Sequence, residues 1–182
     1  MKHEVRIVGG HWKRSKLAVP DRPGLRPTPD RVRETLFNWL GQDLTGWRVL
    51  DAFAGSGALG FEAASRGAGP VVLIERDPAL ARGLGAARAR LGADTLQVQA
   101  ADALGWMAAA ASAPARFDLV LLDPPFDAGL HARALDTALP LLAPGGWLYL
   151  EAPQPWEPPA GLHDHRRLKA GAVHAHLWRR DA

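Results

Sequence analysis

From Trp47 to Ala152 the chain alternates between two hydrophobic patterns. Five short runs, "WRVLDA", "PVVLIE", "TLQVQA", "FDLVLLD" and "GWLYLEA", are rich in Val, Leu and Ile and scarcely alternate with polar residues. Parallel strands covered on both faces read this way, because neither face meets water. Between them lie Ala/Leu/Arg-rich stretches, residues 79–91 and 130–142 among them, that read as crossover helices. The alternation predicts a doubly wound, mostly parallel α/β sheet with right-handed crossovers.

The flanks follow other patterns. "EVRIVGGHWKRSKLAVP" predicts two short strands around a Gly-Gly turn. "RPTPDRVRETLFNWLG" predicts a helix with Thr28 as N-cap, Pro29 in the first turn and Asp30 against the positive helix end. Val32, Leu36, Trp39 and Leu40 form its apolar stripe, and Gly41 is its stop. After Glu151 a Pro-rich stretch, "APQPWEPPAG", ends the alternation. The tail then predicts an antiparallel hairpin turning near Ala170-Gly171 at a sheet edge. Leu168, Val173, Ala175 and Leu177 are expected on one face, and His163, His165, His174 and His176 on the other. Four histidines invite a metal reading, but no acid or Cys completes a ligand set, so no metal is expected. The expected organisation is a basic hairpin-and-helix extension over residues 1–41 and a catalytic domain over 42–182, forming one unit.

Composition sharpens this only in part. With 182 residues, 47% hydrophobic and 23% charged, the chain is of ordinary soluble make-up. No apolar run is long enough to span a bilayer, and "MKHEVRIVGG" lacks the apolar core of a signal peptide. There is no cysteine, hence no disulfide framework and no thiolate metal site. A cytoplasmic monomer is the expectation. Charge is uneven: residues 1–35 carry nine Lys/Arg against four Asp/Glu, whereas residues 36–150 carry eight against eleven. A basic arm on a mildly acidic body suits a polyanionic partner. Lys13, Arg14, Lys16, Arg26 and Arg31 are the candidate phosphate contacts, with Arg33 beside them, unless Arg31 or Arg33 pairs instead with Glu34 or a crevice acid.

"VLDAFAGSGALGFEAA" carries the first candidate site. A strand ends in Asp51, then come Gly55, Gly57 and Gly60, then a helix. Glycine lets the chain turn tightly, lets a ligand approach and lets helix and strand pack closely. An acid ending the next strand, Glu75, is placed to hold two ribose hydroxyls. An NAD enzyme needs a pyrophosphate site and a substrate domain, for which the chain is short. Asp51 beside the turn suits a cationic ligand better than a pyrophosphate. S-adenosylmethionine carries an ammonium, a sulfonium, a ribose and an adenine, and no phosphate. Asp102, after the third strand, is placed to accept from the adenine amino group. The candidate cofactor set is Asp51, Phe53, Gly55, Gly57, Glu75, Arg76, Asp102 and Ala103, all at the carboxyl edge of the sheet.

"LLDPPF" carries the second. Proline keeps the preceding residue out of the helical region, so Asp123 and Pro124 are held extended. The Asp123 carboxylate and the Pro124 carbonyl then accept two N–H bonds from one exocyclic amine, and Phe126 stacks on its ring. These residues resemble those of class I S-adenosylmethionine-dependent methyltransferases with an [Asp/Asn]-Pro-Pro-[aromatic] motif. More closely, "RIVGGHWKRSKL", "RPTPDRVRETLFNWL", "LDAFAGSGALGFEA" and "LLDPPF" are together similar to the bacterial 16S ribosomal RNA guanine-N(2) methyltransferases of the RsmD type, over roughly residues 5–152. That resemblance implies a Rossmann-like, seven-stranded fold, 16S rRNA in a small ribosomal subunit or assembly particle as substrate, and S-adenosylhomocysteine as product. A DNA adenine amino-methyltransferase shares the motif but usually adds a target-recognition region, for which only about twenty residues are present after Phe126. A protein-glutamine methyltransferase would more typically carry Asn at position 123. A non-enzymatic RNA-binding module leaves the acids and the glycine turn without a role.

Overall fold

The computed structural model describes residues 3–182; Met1 and Lys2, the start of the expected extension, lie outside the described residues, as does the side chain of Asp127. An antiparallel ribbon, β1 (His3–Arg6) and β2 (Lys16–Val19), leads to helix α1 (Asp30–Leu40). Then follow β3 (Val49–Asp51), α2 (Ala58–Ser65), β4 (Val71–Glu75), α3 (Pro78–Leu91), β5 (Leu96–Ala100), α4 (Ala103–Ala110), β6 (Phe117–Leu122) and α5 (His131–Ala138). The long strand β7 (Leu142–Ala152) and the hairpin β8 (Leu162–Ala170) and β9 (Val173–Arg180) complete the described chain.

Seven strands form one sheet in the order β5-β4-β3-β6-β7-β9-β8. Strands β3 to β7 are parallel, and β9 runs antiparallel between β7 and β8. On one face Val49, Leu73, Leu119, Leu121 and Tyr149 pack with Leu36 and Phe37 of α1, Phe61 of α2 and Leu84 of α3. On the other, Leu50, Val72, Val120, Leu122 and Leu150 pack with Met107 of α4 and Leu135 of α5. Burial on both faces is the physical reason the strand sequences do not alternate. The strand order reverses between β3 and β6, so a crevice opens at their carboxyl ends.

Three local expectations are corrected. Thr28 is not the N-cap of α1. Pro29 takes that position with no side-chain cap bond, and the Thr28 hydroxyl instead donates to Glu151 Oε1 at 2.8 Å. A bond to a buried carboxylate outcompetes a neutral cap. The 130–142 stretch is not one helix either. Helix α5 ends at Ala138, and Leu139–Leu141 tightens into a 3₁₀ turn at Pro140, which has no N–H to continue the ladder.

The four tail histidines do not share a face. A register shift between Asp164 and Arg166 inserts one extra residue, His165, and reverses the parity of β8. His163 thereby lies opposite Arg179, on the Leu177 face, while His174 and His176 lie on the Trp178 face. The middle of β9, Ala175 to Trp178, is buried on both faces, and His176 Nε2 there accepts the Trp156 main-chain N–H at 3.0 Å. Leu168, Val173, Ala175 and Leu177 do share a face.

Candidate active site

The carboxyl edge of the sheet collects acids from neighbouring strands. Asp51 ends β3, Glu75 ends β4, Asp123 follows β6 by one residue, and Glu151 is the penultimate residue of β7. The registers Asp51↔Leu121, Leu121↔Tyr149 and Leu122↔Leu150 fix their order. Parallel partners, and residues two apart on a strand, point to one face. Asp51, Asp123 and Glu151 therefore converge on the face that carries α1. Asp102 stands further along, capping α4 by accepting the Gly105 N–H at 2.9 Å.

The glycine turn is built around two of these acids. Gly55 and Gly57 have φ of 54° and 82°, left-handed values that side chains rarely adopt. The Gly55 N–H donates to Glu75 Oε2 at 2.9 Å, and the Asp77 N–H to Glu75 Oε1 at 2.8 Å. Glu75 thus braces the turn against the start of α3. Gly60 serves helix–strand packing as the sequence indicated, since a Cβ there would lie 2.1 Å from Leu73 Cδ2. Gly57 does not keep space open for a ligand. A Cβ there would lie 2.6 Å from Leu84 and 2.8 Å from the Phe61 ring, on the helix-packing side. Gly55 is covered by the arm, with Leu25 Cδ1 at 3.0 Å from where its Cβ would stand.

Asp51 is almost fully buried. Its Oδ2 accepts the Gly60 N–H at 2.9 Å, and its Oδ1 has no hydrogen-bond partner. Burial pushes its pKa up to about 7, with the Gly60 N–H opposing and Glu75 and Glu151 adding to the rise. Burial holds the Asp123 carboxyl well above the usual carboxylate range, and Glu151 and Asp51 beside it push the same way. Burial also raises Glu151, against the two hydroxyls that donate to it, Thr28 and Tyr149. Among the described residues, Asp51, Glu75, Asp123 and Glu151 form no salt bridge, and Asp123 accepts no hydrogen bond. Acids that no cation pairs suit a cationic ligand. The orphaned Asp51 Oδ1 and the Glu75-braced turn fit a group with an ammonium, a sulfonium and a ribose.

The remaining sequence candidates divide by exposure. Pro124 is buried and Phe126 is 37% exposed, the only large hydrophobic side chain so exposed among the described residues. Phe53 is half-buried, Arg76 is exposed and Ala103 is buried. Lys13, Arg14, Arg26 and Arg31 are exposed, and Arg14 holds a φ of 75°. Lys16 is exposed but pairs with Glu4 at 2.8 Å. Arg33 is corrected from a phosphate candidate to a structural one. It is fully buried, with Nη1 on Glu62 Oε2 at 3.1 Å and Nη2 on Asp30.

Sequence reading missed Glu151, Tyr149, His131 and Trp156. Glu151 had a signal, because "GWLYLEA" carries an acid at its end as "WRVLDA", "PVVLIE" and "FDLVLLD" do. His131 had none. It is buried between Phe126 and Trp156, with ring centroids 5.9 Å and 6.2 Å away, and its Nε2 has no partner.

The chain is similar to known proteins in sequence and in fold. The family model described as Conserved hypothetical protein 95 matches residues 5–179. The chain is 43% identical over 188 residues to "Ribosomal RNA small subunit methyltransferase D" of Escherichia coli (strain K12), covering 98% of this chain and 91% of the relative. It is 42% identical over 149 residues to the like-named protein of Haemophilus influenzae (strain ATCC 51907 / DSM 11121 / KW20 / Rd), covering 81% and 75%. Among solved structures, "Putative methyltransferase yhhF from Escherichia coli" superposes with a TM-score of 0.88 at 38% identity, over 99% of each chain. An RNA methyltransferase from Salinibacter ruber in complex with S-adenosyl-L-homocysteine shares the fold at a TM-score of 0.61 and 19% identity, over 86% of this chain and 94% of that one.

Proposed function

The chain belongs to the Conserved hypothetical protein 95 family, and from that premise we propose that it transfers a methyl group from S-adenosylmethionine to the exocyclic 2-amino group of a guanine in small-subunit (16S) ribosomal RNA. The observation that carries this reading is Asp123: a carboxylate in Asp-Pro-Pro-Phe, beside the glycine turn, that accepts no hydrogen bond from the described residues and is followed by the exposed ring of Phe126. The relatives' names support the substrate class.

Asp51, Phe53, Gly55, Glu75, Arg76, Asp102 and Ala103 are the residues we assign to the cofactor, and Gly57 serves it indirectly, through the left-handed φ that shapes the turn. Glu75, braced by the Gly55 and Asp77 N–H groups, is the acceptor we assign to the ribose hydroxyls, and Asp51 offers a buried acceptor whose ionisation a cationic ligand favours. When bound, S-adenosylmethionine supplies a methyl group already activated by its sulfonium. The enzyme's task is to aim a nitrogen lone pair that guanine delocalises into its ring. Asp123 and the Pro124 carbonyl accept the two N–H bonds and favour a more tetrahedral nitrogen, while Phe126 stacks on the base. Asp123 takes the proton as the methylated amine becomes acidic. Lys13, Arg14, Arg26 and Arg31 grip phosphates, with Lys16 contributing once released from Glu4. The substrate is the rRNA within a small subunit or an assembly particle, and the enzyme works as a cytoplasmic monomer. Among the described residues no helix is long and apolar enough to cross a membrane.

The test is incubation with methyl-labelled S-adenosylmethionine and, separately, small subunits, naked 16S rRNA and duplex DNA, followed by nucleoside mass spectrometry. Label in N(2)-methylguanosine is expected. Label confined to N(6)-methyladenine would overturn the reading.

A further inference from the structure

Glu151 has no part in the motif that carries the chemistry, yet it is the one acid at the crevice that accepts side-chain hydroxyls rather than main-chain N–H groups among the described residues. It is 3% exposed, and a single oxygen, Oε1, accepts the hydroxyls of Thr28 and Tyr149, each at 2.8 Å. Thr28 comes from the basic arm, 123 residues away in sequence. The Leu122↔Leu150 register puts Asp123 and Glu151 side by side on neighbouring strands, with side chains on one face. The two acids are treated differently. Burial raises both acids, but two hydroxyl donors oppose the rise at Glu151 and favour its charged form, whereas Asp123 accepts no hydrogen bond from the described residues. A proton shared by the pair therefore belongs on Asp123.

We propose that Glu151 is a positioning residue for methyl transfer: its carboxylate, clamped by Thr28 and Tyr149, makes Asp123 the group that takes the proton leaving the methylated amine. The inference rests on the function proposed above. The amine nitrogen gives its lone pair to the methyl carbon as the C–S pair stays on sulfur. The nitrogen then carries one proton too many. That proton passes to an Asp123 oxygen, and the N–H electron pair returns to nitrogen. A neighbouring fixed anion makes this transfer more favourable, because it raises the affinity of Asp123 for a proton. Before transfer the same anion opposes ionisation of Asp123, and the cationic ligand relieves that opposition. The Thr28 bond also ties the setting of Glu151 to the arm that carries Arg26 and Arg31, so arm and proton acceptor are one mechanical unit.

The groups facing Glu151 are few. Asp123 just after β6 and Asp51 at the end of β3 bear on it as like charges, and Tyr149 on its own strand is a donor. Ala175 is opposite on β9, flanked by His174 and His176. The His131 ring of α5 approaches the Glu151 main chain. No Lys or Arg among the described residues pairs with it.

Glu151→Gln keeps the size of the side chain and an oxygen for both hydroxyls but removes the charge. The first readout needs no RNA: carboxyl-carbon NMR of Asp123 in the full chain across pH. Its titration should move down by roughly one pH unit in Glu151→Gln, and by less, in the same direction, in Thr28→Val. The second readout is kcat against pH on the rRNA substrate. A fall in kcat of roughly tenfold is expected with KM for RNA nearly unchanged, and Glu151→Asp should recover part of it. Unchanged titration of Asp123 in a folded Glu151→Gln protein would overturn the proposal. So would a loss of activity seen in KM alone. Should Glu151→Gln not fold, Thr28→Val, judged by the same titration, decides. A shifted titration in a protein whose wild type methylates no rRNA would leave the Glu151–Asp123 coupling standing and strike the proposed substrate instead.

Discussion

Glu62 Oε1 accepts the main-chain N–H of Gly9 at 2.8 Å, across 53 positions of sequence. Its other oxygen accepts the Val8 N–H at 3.0 Å and Arg33 Nη1 at 3.1 Å, and Arg66 Nη2 lies 3.0 Å from Oε1. One buried carboxylate on α2 thus pins the basic turn to the helix whose first residues close the glycine turn. Glu62→Ala would take from two buried guanidiniums the carboxylate they share, leaving Arg33 only Asp30 and the Thr28 carbonyl and Arg66 only Gln42, and would strand two N–H groups. A loss of roughly 3–5 kcal/mol of stability is expected in denaturant unfolding. Wild-type stability in that variant would mean the network is replaceable by water.

Asp51 links stability to pH. Its folded pKa, about 7, is above the ordinary aspartate value of 3.8, so the folded state holds a proton that the unfolded state has released. The contribution is fully present below pH 3.8 and is lost as pH rises towards about 7. The slope is about 1.4 kcal/mol per pH unit in that window. Asp51→Asn keeps an acceptor for the Gly60 N–H and should flatten this part of the stability–pH curve. Parallel curves for the two proteins would refute the buried, proton-holding role.

Gly57→Val should act on folding before it acts on the ligand. The position combines a left-handed φ of 82° with Cβ approaches under 3 Å to Leu84 and Phe61. Overpacking of this kind costs about 1–3 kcal/mol, and the backbone strain adds to it. Thermal unfolding should fall together with calorimetric binding of S-adenosylmethionine. A variant of unchanged stability that binds poorly would restore the ligand-approach reading.

Asp123→Ala should reduce turnover far more than cofactor affinity, because it removes an acceptor used most in the transition state. Phe126→Ala should weaken base capture by about 1–3 kcal/mol. Single-turnover kinetics on rRNA separates the two effects, and near-normal turnover by Asp123→Ala would exclude the assigned role.

The exposed bases of the arm predict a salt signature. Removing one side chain that neutralises a phosphate should lower the slope of log affinity against log salt by roughly one unit. The Lys13/Arg14 double alanine variant should therefore show a shallower slope than wild type for 16S rRNA. Arg33→Ala should mainly lose stability instead, because its guanidinium is buried against Glu62. Equal affinities and slopes for wild type and the double variant would make the turn a solubility feature.

The sequence by itself determined the sheet, the glycine turn and the motif acid, because each rests on local pattern. Unbroken apolar runs follow from burial on both faces, a glycine from its own φ, and Asp123 from the prolines beside it. The tertiary structure decided whatever depends on a partner distant in the chain. Thr28 looked like a cap until a β7 carboxylate, Glu151, claimed its hydroxyl. Arg33 looked like a phosphate contact or a partner of Glu34 or a crevice acid until α1 packed it against Glu62. Gly57 looked like ligand space until α3 placed Leu84 behind it. The tail histidines looked like one face until a single bulged residue reversed the parity of β8. A period of two carries a strand's faces only while the register is unbroken, and a side chain's pairing is settled by which neighbour the fold brings nearest.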